Sequence, residues 1–199
     1  MALAAAEEDS VVAEPRAAGE MHSVALGSRG RGFGRLRRLV EHLFCTRAGT
    51  RRLFPPTLLQ EIERGCAASE ARHAGEIRFA VETALHAGPI LHGVTPRQRA
   101  LTLFSLLRMW DTQDNNGVLI YVLRADRAVE IIADRGISAR VQPQEWAAVC
   151  AEVEARYRLG RFAEGSHVAI DGVARLLERH FPLLTGAPAN ELPNQPLLL

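Results

Sequence analysis

The stretch that decides the fold reads Trp110-Asp-Thr-Gln-Asp-Asn-Asn-Gly-Val-Leu-Ile-Tyr-Val-Leu123. Its first half is polar and turn-forming, since Asp and Asn hydrogen-bond their own backbone and Gly tolerates any turn geometry. Its second half, Val118 to Leu123, is apolar without a break, as a central strand covered on both faces must be. Ala125-Asp126 then predicts a tight turn. Val129, Ile131 and Ala133 alternate with Glu130 and Asp134, which predicts an antiparallel hairpin partner, and Arg135-Gly136 ends it.

Upstream, Ile77, Phe79 and Val81 alternate with Arg78, Ala80 and Glu82, the period of a strand. Between the two strands, Thr95-Pro96-Arg97-Gln98 supplies an N-cap, a Pro at the first helical position and a capping Gln. That helix carries an apolar stripe of Ala100, Leu103, Phe104 and Leu107, and Trp110, one turn on, is expected in the core. Strand, helix, strand implies a right-handed parallel crossover. Thr57-Leu-Leu-Gln60 predicts a capped helix to about His73, and two further helices follow the hairpin, striped by Trp146, Val149, Cys150, Val153 and Tyr157 and by Ile170, Val173, Ala174, Leu177 and Phe181. The fold class is α/β: a small mixed sheet, built from a parallel β-α-β unit plus an antiparallel hairpin, with helices on both faces. The folded domain spans 53–182, and 183–199 reads as a loose Pro-rich tail.

Composition narrows the function. Of 199 residues, 47% are hydrophobic and 24% charged, which excludes a wholly disordered chain. The net charge of +1 gives no whole-chain basic field, so no nucleic acid is expected. All 24 basic residues are Arg, which removes Lys Schiff bases and the P-loop lysine. Three separated Cys carry no CxxC pair and fit a reducing compartment. Each has an Arg six residues on, but Cys66 and Cys150 fall inside helical patterns and Cys45 follows Phe44 rather than the usual His, so the spacing does not mark a phosphate loop. No Gly-rich nucleotide motif, nucleophile elbow or zinc motif is present. With no secretory signal and no run of about 20 apolar residues, a cytoplasmic location is expected.

Residues 1–28 are acidic and read as disordered. Residues 29–52 hold eight Arg against one acid, Glu41. Phe33, Leu36, Leu39, Val40, Leu43 and Phe44 recur there at helical spacing, with Arg35, Arg37, Arg38 and His42 mostly on the other side, so the segment is a basic amphipathic helix. Either it docks on the domain with Arg facing water, or it binds a protein partner or an anionic membrane surface through residues such as Arg31, Arg35, Arg37 and Arg38.

Topology also brings chemistry together. If the first two strands are parallel and the third runs back, one sheet edge collects His73, Glu76, the loop 110–117 and Asp134-Arg135-Gly136. Asp111, Asp114, Asn115, Asn116 and Asp134 are hard oxygen ligands suited to Ca2+ or Mg2+. Glu76 or His73 could move a proton, and Arg135 could clamp an anion. The same Asp and Asn residues are also what any turn before a Gly wants.

Ser69-Glu-Ala-Arg-His73-x-Gly75-Glu76-Ile, Trp110-Asp-x-x-x-Asn-Asn-Gly-Val-Leu119, Ala125-Asp-Arg127 and Glu130-Ile-x-Ala-Asp-Arg-Gly136 together resemble the TPM domain family, over about residues 54–182. The resemblance implies a three-layer α/β/α sandwich. Some relatives are described as acid phosphatases, some bind Ca2+ and others are membrane-anchored modulators. This chain is similar to the short soluble bacterial branch, with Ala-Asp-Arg-Gly where exported forms tend to have Gly-Tyr-Gly. Two functions follow as expectations: an interaction or accessory module with a divalent-metal site in loop 111–117, or a metal-dependent phosphatase-like hydrolase acting on phosphoesters.

Overall fold

The computed structural model describes residues 33–183 and 191–199. The acidic segment 1–28 and Arg31 lie outside them. The N-terminal part forms three helices, α1 (Phe33–Phe44), α2 (Arg47–Leu53) and α3 (Pro56–Glu70). Strand β1 (Glu76–Glu82) leads through α4 (Ala87–Leu91) and α5 (Pro96–Leu106) to β2 (Gly117–Leu123) and β3 (Ala128–Ala133). The chain continues through α6 (Arg135–Ser138), α7 (Pro143–Arg158) and α8 (Phe162–His180) to β4 (Leu197–Leu198).

The strands form one mixed sheet in the order β3-β2-β1-β4. Strands β1 and β2 are parallel, Glu76 opposite Gly117 and Glu82 opposite Leu123. Strand β3 is antiparallel to β2, with Leu123 opposite Ala128, so Arg124–Arg127 form a four-residue connection and not a two-residue turn. Alternation sorts the side chains into two cores. Ile77, Phe79, Val81, Val118, Ile120, Val122, Val129 and Ile131 face α3, α7 and α8. Ala80, Leu119, Tyr121, Leu123 and Ile132 face α4 and α5. Every residue of β2 is buried, which is what its unbroken apolar run predicted. The result is the α/β/α sandwich.

Four expectations change. The capping box at Thr57 does not form: Pro55 stands at the N-cap of α3 without a side-chain bond, and the helix stops at Glu70, short of His73. The expected single helix over 29–52 breaks at Cys45-Thr46, because the Thr46 hydroxyl accepts the Gly49 N–H and caps a new helix. Trp110 is 53% exposed, whereas Met109 is fully buried. The reason is local: α5 ends at Leu106, and Arg108 takes a left-handed φ of 52°, which turns Met109 into the core and Trp110 out. The end of the tail is not loose. Leu197–Leu198 pair in parallel with Ala80 and Val81, and the Leu199 N–H donates to Val81 O at 2.9 Å. This satisfies backbone groups of β1 that would otherwise form a bare sheet edge.

The block Asn115-Asn-Gly117 acquires a packing reason. A Cβ on Gly117 would lie 2.1 Å from the Met109 carbonyl oxygen, and one on Gly136 would lie 2.6 Å from the Asn115 oxygen. The loop 109–117 is pressed against the starts of β2 and α6 so closely that only Gly fits at either contact.

Candidate functional site

The amino-terminal edge of the parallel strands does gather the residues that the topology predicts. Glu76 opens β1, Asn116 precedes β2 and Asp134 follows β3, and the backbone ties them: Glu76 N–H donates to Asn116 O at 3.0 Å and Asp134 N–H to Gly117 O at 2.9 Å. Their side chains are then put to several uses. Asn116 donates its amide to Ala74 O and takes the Thr112 hydroxyl as acceptor for its own N–H. Asn115 adopts φ 52° and accepts a 2.7 Å hydrogen bond from Arg135 Nε. Asp134 accepts the Arg135 N–H at 2.7 Å, capping α6. Burial raises its carboxyl above the usual range. Asp111 and Asp114 lie exposed on the loop.

His73 is wholly buried, its Nδ1 accepting the Gly75 N–H at 3.2 Å. Burial pushes it down to about 4, so it is neutral at physiological pH and not poised to exchange protons there. Glu76 accepts the Glu191 N–H at 3.3 Å, and burial raises it. Sequence reasoning missed Glu70. At the last turn of α3, it accepts the Ile77 N–H at 2.9 Å and the Asn194 amide at 2.8 Å. Burial pushes it up to about 7, and the nearby Glu76 charge adds to the rise. The available signal was its place six residues before Glu76, across the turn that links helix to strand.

The donor set has the hard oxygens that suit Ca2+ or Mg2+, and Asn116 Oδ1 and Asp134 Oδ2 are buried without a hydrogen-bond partner. Among the described residues, however, no group of three or more His, Cys, Asp or Glu side chains is placed to hold a metal ion.

The opposite edge, at the carboxyl ends of β1 and β2, carries α1. The helix sits on the domain by its polar side. Arg38 donates to both oxygens of Asp126, at 2.8 and 2.6 Å, and to Val94 O at 2.7 Å. His42 Nδ1 accepts the Leu85 N–H at 2.8 Å, so its proton is on Nε2, which faces Asp126 at 3.1 Å. Burial would raise Asp126, but Arg38 and His42 outweigh it and hold the carboxyl below its usual range. Arg124 adds bonds to Cys45 Sγ, Thr46 O and Thr50 Oγ1. Of the apolar residues of α1, Leu39 packs against the second core, while Leu36, Val40, Leu43 and Phe44 point away, 43–81% exposed. The expected docking with Arg facing water does not describe Arg38. Arg38 is spent inside, Arg37 pairs with Glu41 at the surface, and Arg35 reaches Leu91 O at 3.5 Å.

Comparisons with known proteins agree with the fold. The solved NMR structure of BA42 protein from the psychrophilic bacterium Bizionia argentinensis sp. nov. superposes with a TM-score of 0.63 at 26% identity, covering 72% of this chain and 93% of that one. No curated protein matches the chain significantly. A TPM domain profile matches residues 50–176, the segment from α2 to α8 that contains both sheet edges. On that match over more than half its length, and on the sandwich that encloses it, the chain belongs to the TPM domain family.

Proposed function

We infer that this protein is an accessory module that adsorbs to an anionic membrane surface through α1. The observation that carries the reading is the outward ridge of Leu36, Val40, Leu43 and Phe44 on a helix that also exposes Arg35 and Arg37, with exposed Arg47, Arg51 and Arg52 following in α2. A helix normally docks by its whole apolar stripe, and this one docks by an ion pair and Leu39 and leaves Leu36, Val40, Leu43 and Phe44 exposed. Burying Leu36, Leu43 and Phe44 in the lipid interface would gain roughly 1–2 kcal/mol each. Each exposed Arg adds about 1 kcal/mol near anionic headgroups. Among the described residues no helix is long and apolar enough to cross a membrane, so the contact would be peripheral.

Vesicle pelleting tests this. The full chain should bind vesicles containing phosphatidylglycerol, bind less as salt rises, and ignore neutral vesicles. Phe44→Glu with Leu43→Glu should abolish binding without changing the far-ultraviolet spectrum or the melting temperature. Undiminished binding by that variant would refute the reading.

A second reading, a divalent cation in the loop 111–117 serving a phosphatase-like hydrolase, is favoured by one observation, the buried and unpartnered Asn116 Oδ1 and Asp134 Oδ2. Bound there, a cation would polarise a phosphoryl oxygen. Ca2+ or Mg2+ at a hundredfold excess over Kd should then stabilise the fold by about 2.7 kcal/mol, and Asp114→Asn or Asp134→Asn should remove the shift. A melting temperature indifferent to both ions would end this reading.

A further inference from the structure

Away from a membrane, the ridge of α1 stands in water. Leu36, Val40, Leu43 and Phe44 share one helix face, and soluble monomers rarely leave such a face bare. The charge beside it is also unmatched. On α2 the side chains of Arg47, Arg51 and Arg52 are exposed, and among the described residues none of them makes a hydrogen bond or an ion pair. On α1, Arg38 is spent on Asp126 and Arg37 on Glu41, while Arg35 reaches only a backbone carbonyl.

The chain carries an occupant of the opposite character. Residues 1–28, which precede α1 and lie outside the described residues, hold Glu7, Glu8, Asp9, Glu14 and Glu20 against Arg16 alone. Val11-Val12 sit between Asp9 and Glu14, so acids bracket an apolar pair, which matches a ridge of Leu and Phe followed by Arg. The reach fits as well. Twelve residues separate Glu20 from Phe33, among them Gly27, Gly30 and Gly32, and a Gly-rich chain of that length spans about 20 Å. The twelve residues of α1 measure about 18 Å. Glu20 is therefore within reach of the whole of α1, and the acids before it are within reach of the α2 arginines.

We propose that the acidic segment 7–20 docks on the α1–α2 surface of its own chain and shields it from anionic membranes. A short tether holds the segment at an effective concentration in the millimolar range, so individually weak surface ion pairs suffice. Segment and lipid then compete for the same ridge and the same Arg side chains, and a surface dense in anionic headgroups displaces the segment. The shielding rests on the membrane reading above, whereas the docking does not.

The test neutralises the segment in the full chain, with Glu7→Gln, Glu8→Gln, Asp9→Asn, Glu14→Gln and Glu20→Gln together. The domain packs without these positions, so the variant should melt close to the parent. With no lipid present, amides of residues 35–37 and 43–52 should differ between parent and variant in NMR spectra, and those of β1 and β2 should not. Added salt should bring the parent's amides toward the variant's, as screening of exposed charge requires. Identical α1 and α2 amides in the two proteins overturn the docking. Differences that grow with protein concentration place the segment on a second copy and overturn the intramolecular contact. On vesicles containing phosphatidylglycerol the variant should bind about tenfold tighter, the equivalent of two or three exposed ion pairs. Equal affinity overturns the shielding, and tighter binding with unmoved amides reports net charge alone and overturns it too. If neither protein binds vesicles, the membrane reading has failed, and the amide comparison still decides the docking.

Discussion

Asp126→Ala removes the acceptor that holds α1 to the domain. In the parent, Asp126 receives two hydrogen bonds from Arg38 and one from His42, with side-chain exposures of 12%, 20% and 1% for Asp126, Arg38 and His42. The variant leaves the Arg38 guanidinium and the His42 Nε2–H facing no anion in a half-dry interface. Breaking one partner of a buried ion pair costs about 3–5 kcal/mol. The residual exposure of Arg38 places the loss at the low end, about 3 kcal/mol. Since α1 touches the domain mainly through this cluster and Leu39, the loss should appear first as local detachment. Amides of α1 should exchange much faster in hydrogen exchange, while those of β1 and β2 keep their protection. A double-mutant cycle with Arg38→Ala should show coupling of about 1.5 kcal/mol or more in urea unfolding, because both changes break the same bonds. Coupling near zero with unchanged α1 exchange would refute the idea that this ion pair fixes the helix.

Acid should act the same way. Asp126 is held below its ordinary value, so its contribution is present at neutral pH and lost as pH falls through the folded-state value, below about 3.8, where α1 should detach before the core melts. Glu70 works in the opposite sense. Raised from 4.5 to about 7, it keeps a proton in the folded state that the unfolded chain releases, so stability should fall as pH rises from about 4.5 to 7. Glu70→Gln should flatten that slope in thermal melts across this range, with the Asn194 amide free to turn its oxygen toward the new amide. An unchanged slope would show that Glu70 titrates normally. Trp110→Ala should cost under about 1 kcal/mol in chemical denaturation, as exposed substitutions do. A loss of 3 kcal/mol would mean that the indole is packed after all.

Much of this architecture is legible in local pattern. The unbroken Val118–Leu123 run, the alternation in 77–81 and 129–133 and the stripes of α7 and α8 are one-dimensional records of burial, because period and burial are coupled through fixed backbone geometry. The convergence of Glu76, Asn116 and Asp134 follows from strand direction alone. What sequence could not give is how these side chains are shared out. Asn115, Asn116 and Asp134 look alike in a list of oxygen ligands, and only the loop's path decides that one binds Arg135, one reaches Ala74 and one caps α6.

The same limit governs α1 and the tail. The amphipathic pattern of 33–44 determined that a helix with one apolar face forms there. It could not determine which face docks, because that depends on Asp126, 88 residues from Arg38 in sequence and at the tip of a hairpin that folding brings beneath the helix. Likewise Leu197–Leu198 hold no strand pattern of their own, and become a strand only because β1 offers an open edge. Local periodicity fixes which surfaces a segment has, whereas the partner of each surface is set by contacts distant in sequence, which exist only once the chain has closed on itself.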